Sequence, residues 1–189
     1  MTTVLWLSLI VGALLLVWAA VIFNAFVRLR NRVHEAFSGI DVQLKRRHNL
    51  IPNLVRTVEA YARHERTTLE QVVASRGRAA AAQAVPERER SENGLSRSLD
   101  RLVALVEAYP ELRADQSFRR LHGDLVSIEE QIQYARRYYN GAVRDLNNRV
   151  QQFPANLLAP LFGVEAGEFF EIESPAERHA PDVTLLPPP

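Results

Sequence analysis

From Val4 to Val27 the chain carries no charged residue, and Arg28, Arg30 and Arg32 follow at once. A helix rises 1.5 Å per residue, so these 24 residues span about 36 Å, enough to cross a hydrocarbon core of roughly 30 Å with some tilt. The run predicts a transmembrane helix over residues 4–27 with a basic collar. A cleaved secretory signal fits it poorly, since such signals carry basic residues first, a shorter apolar core and a small-residue cleavage site. Here no basic residue precedes the run, and arginines follow it. Positive charge flanking a span is retained on the cytoplasmic side. The expectation is a single-pass protein of the cell (inner) membrane, with residues 1–3 outside and the rest cytoplasmic.

Beyond the collar the apolar pattern is helical throughout. Leu29, Val33, Phe37, Ile40, Leu44 and Ile51 recur at steps of three and four, with His48 filling the remaining step. No proline occurs before Pro52, so the membrane helix is expected to run on unbroken as the first bundle helix, residues 28–48. Asn49 is a good N-cap and Pro52 suits a first turn, so Asn49–Pro52 reads as a turn opening a second helix over 52–84. The run Ala79–Ala82 reads either as a frayed end or as a loop. Pro86 opens a third helix over 87–109, and Asp115 caps a fourth over 115–153. That fourth helix has the cleanest seam, from Phe118 through Leu125, Ile132, Tyr139 and Leu146 to Phe153.

The fold class predicted is therefore all-α: an N-terminal transmembrane helix continuous with the first helix of an antiparallel four-helix bundle, residues 28–153. Residues 154–189 hold seven of the ten prolines and predict an irregular tail. It carries two apolar clusters, Leu157, Leu158, Leu161 and Phe162, then Phe169, Phe170 and Ile172. Two arrangements suit it: a strap along the bundle, or a membrane-facing segment, because the fourth helix runs back towards the bilayer.

Templates for chemistry fail one after another. His64-Glu65 begins like HExxH, but Thr68 stands where the second histidine belongs. No histidine has an acid three residues before it, as di-iron bundles need. Phosphate loops and nucleophile elbows are missing, and the chain has no cysteine. The expectation is a protein with no catalytic residues, no cofactor, no metal and no small-molecule substrate. A net charge of +1 gives no global field for nucleic acid. Arg28, Arg30 and Arg32 read as topology determinants or as a site for anionic lipid headgroups, which attract juxtamembrane bases at about 1 kcal/mol each. Lys45-Arg46-Arg47 reads as solvated surface. Asn140, Asn147 and Asn148 read as surface or seam-edge residues, with a register-setting buried asparagine as the alternative.

The stretch LRNRVHEAFSGIDVQLKRRHNLIPNLVRTVEAYARHE, Leu29 to Glu65, resembles the opening block of the LemA family. SEN at Ser91–Asn93, EAYPELR at Glu107–Arg113, YYNGAVRDLNNRVQQFPANLLAPLFG at Tyr138–Gly163 and EFFEI at Glu168–Ile172 resemble its later blocks in order. The resemblance implies one span and a cytoplasmic antiparallel helical bundle, with no established enzymatic activity. It also implies kinship with proteins implicated in organelle-membrane formation in magnetic bacteria. The function expected is a non-enzymatic membrane scaffold that self-associates; the alternative is a signalling adaptor or sensor presenting its bundle to a partner such as a membrane protease.

Overall fold

A computed structural model describes residues 1–170, and all the regular structure among them is helical. The first helix, α1, runs from Thr2 to Tyr61 without interruption; its 60 residues span about 90 Å. It therefore contains the apolar run, the collar and the predicted turn at Asn49–Pro52 alike. That turn does not exist, and the correction has a local cause. Proline lacks an N–H, so Pro52 cannot bond the carbonyl of His48, and a proline inside a helix costs about 3 kcal/mol when nothing compensates. Arg76, from the next helix, supplies the missing donor: its Nε donates to the His48 carbonyl at 2.7 Å. The helix ends instead at Ala62, whose N–H bonds Val58, before a turn over residues 62–65 that contains neither glycine nor proline.

The remaining elements are α2 (Arg66–Ala81), α3 (Val85–Val106), the short α4 (Pro110–Ala114), α5 (Gln116–Gln151) and the single turn α6 (Ala155–Leu158). The segment predicted as one helix over 52–84 is thus divided between α1 and α2. Its alanine run stays helical to Ala81 and then turns. Asp115 caps α5 by accepting from the Phe118 N–H at 2.8 Å.

Helices α1 and α5 pair along most of their length. Tyr61 meets Asp115, Arg47 meets Glu129, Phe37 meets Tyr139 and Arg32 meets Asp145. One set of numbers falls as the other rises, so the two run antiparallel. Helices α2 and α3 form a hairpin laid on the distal half of α1. Its turn is pinned by Arg88, which bonds the Ala82 carbonyl and Asp41 and covers the Phe37 ring at 5.1 Å. Asp41 thus ties α1 to the start of α3.

Three apolar clusters follow one another along α1. Ile22 and Phe26 pack with Leu146, Ala155 and Ala159 nearest the apolar run. Ala36, Ile40 and Leu44 pack with Ile132, Tyr139, Val143 and Phe170 in the middle. Ile51, Leu54 and Val58 share the distal cluster with residues of α2, α3, α4 and α5, among them Leu69, Leu102, Leu112 and Leu121. Beside the distal cluster lies a buried ionic group centred on Arg47, which is 0% exposed where solvated surface was expected. Its Nη1 donates to Glu129 at 2.6 Å and to Ser96 at 3.0 Å, and its Nη2 pairs with Glu92. His48 Nε2 stands 2.9 Å from the other Glu92 oxygen. Burial works against the Glu92 carboxylate, but His48 and Arg47 outweigh it and hold its pKa below the ordinary value. Arg47 thereby joins α1 to both α3 and α5.

Candidate membrane-proximal site

The apolar run of α1 stands apart from the rest of the fold: its side chains from Val4 to Trp18 are exposed. Among the described residues, α1 is the one helix long and apolar enough to cross a membrane. Where this run meets the packed part of the molecule, α5 ends and α6 folds across α1. Ala155 and Ala159 are small enough to sit directly on Ile22 and Phe26, with Leu158 and Phe162 beside them. The Phe162 ring meets Phe23 edge-on, centroids 5.1 Å apart. Burying one face of so short a segment leaves the other bare. Phe153, Leu157 and Leu161 are 80%, 61% and 77% exposed.

A glycine then reverses the chain. Gly163 has φ +61, and the Val164 N–H reaches back to Ala159 at 3.0 Å while the Gly163 N–H reaches Pro160 at 3.2 Å. This is the Schellman pattern, whose left-handed residue favours glycine. The returning segment lies along α5, held by two asparagines. Asn147 donates to the Gly167 carbonyl at 3.0 Å and accepts from its N–H at 2.8 Å. Asn140 treats Phe170 the same way, at 2.7 and 2.9 Å. Seven residues of helix advance about 10.5 Å and three extended residues about 10 Å, so two amides two turns apart match every third residue of the strap.

The strap ends in a buried anchor. Phe170 is packed by Phe37 and Tyr139, with Arg136 over its ring at 5.3 Å. Tyr139 donates its hydroxyl to the Glu168 carbonyl at 2.9 Å; burial, with Glu168 nearby, pushes its phenol up and keeps it a donor. Gly167 passes so close to α5 that an added Cβ would lie 3.4 Å from Val143.

Of the residues singled out in the sequence, Arg28 and Arg30 are exposed, and Arg32 lies 3.7 Å from Asp145 with both side chains about half in solvent. Arg28 and Arg32 share a helix face, and Arg30 projects elsewhere, beside Glu165. The tail residues divide: Leu158 and Phe162 pack on α1, Leu157 and Leu161 face outward, Phe169 is half-exposed and Phe170 is core. Ile172 lies outside the described residues, as does most of the proline-rich segment.

The LemA family profile matches residues 36–185. The chain belongs to the LemA family. Magnetosome proteins MamQ 1 and MamQ 2 of Paramagnetospirillum magneticum (strain ATCC 700264 / AMB-1) are each 24% identical to it over 192 residues, covering 88% of this chain and 69% of theirs. MamQ of Magnetospirillum gryphiswaldense (strain DSM 6361 / JCM 21280 / NBRC 15271 / MSR-1) is 24% identical over 193 residues with the same coverage. In this LemA protein the profile begins after the apolar run and the collar. It takes in Pro52 and Arg76, the Arg47 ionic group, both asparagine clamps and α6. Sequence reading missed the roles of Arg76, Arg47, Asn140 and Asn147, because every partner lies at least 20 residues away in the chain. The seven-residue spacing of Asn140 and Asn147 was the one available signal.

Proposed function

We propose that this LemA protein is a non-enzymatic component of the cell membrane that self-associates and scaffolds or shapes the bilayer. One observation carries the reading: the apolar run and the buried distal core residues Ile51, Leu54 and Val58 belong to a single unbroken helix. In this reading residues 4–27 cross the bilayer, residues 1–3 lie outside, and an antiparallel four-helix bundle of α1, α2, α3 and α5 stands in the cytoplasm. A load on the bundle is transmitted to the lipid through a rigid rod rather than a linker.

The site at the collar suits a headgroup environment. Arg28, Arg30 and Arg32 would face anionic headgroups, each contributing about 1 kcal/mol at low ionic strength. Phe153, Leu157 and Leu161 would enter the same leaflet beside them, as interfacial apolar side chains do. The MamQ relatives, magnetosome proteins by name, fit a role in building a membrane-bounded structure. The reading is tested by light scattering on the full chain in mild detergent, where an oligomer is expected. A strictly monomeric chain at every concentration would refute it, and a monomer bound to one stoichiometric foreign protein would favour an adaptor.

A further inference from the structure

We infer that copies of this chain join heterologously in the membrane plane, the acidic groove between α3 and α5 of one copy docking on the basic groove between α1 and α2 of the next. The inference rests on the self-association reading and says which surfaces carry it.

The contacts between helices set the geometry. The backbone of α1 lies close to those of α5 and α2, and that of α2 to α3, whereas the backbones of α3 and α5 stand further apart, joined through the shared apolar core and Arg47. The space between α3 and α5 is therefore open on its outer side. Apolar Leu99, Val103 and Val126 line it, and its charged residues are Asp100, Glu107 and Glu129, with His122 and no lysine or arginine. Glu129 is neutralised by Arg47, which leaves Asp100 and Glu107 as the acidic rim.

A second groove lies between the end of α1 and α2, diagonally across the four helices. It too has an apolar lining, with Val55, Leu69 and Val73, but its charge balance has the opposite sign: Arg56, Arg63 and Arg66 against Glu59 and Glu70 leave one net positive charge. Arg66 is tied to Glu70 by a surface pair at 2.8 Å. The most outward apolar residues of the two grooves, Val73 and Val126, are 51% and 47% exposed. Opposite charge around apolar floors steers docking and fixes its register.

Height makes the pairing possible for anchored molecules. Arg76 beside His48 fixes the level of α2 against α1, and Ser96 beside Arg47 fixes that of α3. The α3–α5 groove then covers roughly 22 to 39 Å beyond Arg32 along α1 and the α1–α2 groove roughly 27 to 44 Å, so that the two overlap over about 12 Å. Copies with parallel anchors in one bilayer would bring the two faces together over that overlap. Because the faces differ and lie on opposite sides, the contact does not close on itself and extends into rows.

The chain has no cysteine, so thiol cross-linking of the full-length protein in membranes reads the contact directly. Two differently tagged copies, one Val73→Cys and one Val126→Cys, are expected to cross-link to each other, neither to itself, and the double variant to form a ladder. Reversing the rim with Asp100→Arg and Glu107→Arg should lower the cross-linked fraction roughly tenfold, the effect of about 1.4 kcal/mol. Arg63→Glu with Arg66→Glu on the opposing copy should restore it. Self-linking of either single variant would overturn the proposal in favour of a symmetric dimer, and failure of the charge swap to restore linking would also overturn it. An oligomer by size without these cross-links would overturn this contact and leave self-association standing; a monomer would overturn both.

Discussion

Replacing Arg76 by leucine tests how a proline comes to sit inside α1. The His48 carbonyl would lose its one outside donor, at 2.7 Å, and Pro52 has no N–H with which to take its place. A hydrogen bond from a charged donor is worth about 1.5–3 kcal/mol when buried. Arg76 is half-buried, which places the expected loss nearer 1–2 kcal/mol. In a Pro52→Ala background the same substitution should cost about 0.5 kcal/mol or less, because the residue 52 N–H then bonds His48 within the helix. The coupling energy is the difference, roughly 1 kcal/mol, well above the additivity error for independent sites. Urea denaturation of the full chain in mild detergent, followed by helical circular dichroism, measures all four corners of the cycle. Equal losses in both backgrounds would refute the compensation, and a gain in stability on removing Arg76 would refute it outright.

Arg47→Met should destabilise the fold by about 3–5 kcal/mol, since it strands the buried Glu92 carboxylate, and adding Glu92→Leu should recover most of the loss in the same urea assay. Glu92 is ionised below its ordinary range when folded, so its contribution is complete above the unfolded carboxylate pKa and is lost as pH falls through the lower folded value. Urea midpoints taken from neutral to acid pH should therefore fall more steeply for the native chain than for Glu92→Gln. Asn147→Ala removes both clamp bonds to Gly167 and should raise amide exchange over residues 164–170 while leaving the centre of α5 protected. Leu161→Asp should weaken membrane protection of α6 against protease with helix content unchanged; unaltered cleavage would count against the headgroup placement.

The helical pattern was legible because periodicity is a local property. Leu29, Val33 and Ile40 show that α1 outlasts the apolar run, and the seam from Phe118 to Leu146 marks α5. Breaks were legible only where the breaker acted alone. Pro52 looked like a terminus because the guanidinium that satisfies its orphaned carbonyl arrives from another helix, and the true end at Ala62–Glu65 carries no breaker at all. The basic triplet Lys45-Arg46-Arg47 looked solvated because nothing local distinguishes Arg47 from its neighbours; Glu92 and Glu129 give it a buried position. Asn140 and Asn147 were assigned to the surface or seam edge, since their partners are backbone groups of a strap that shows no pattern of its own. How Ala155 and Ala159 let the tail close on α1, and which leucines that leaves outside, depends on packing that only the fold displays.

The rigid connection between the apolar run and the distal core is most directly tested by the distance between spin labels at Asn24→Cys and Glu59→Cys, on either side of the collar and of Pro52, in the full chain held in a lipid nanodisc. An unbroken α1 predicts one narrow distribution centred at about 52 Å, the rise of 35 helical residues. A turn at Asn49–Pro52 or a hinge at the collar would contradict the account by giving a distribution that is broad or centred well below that value.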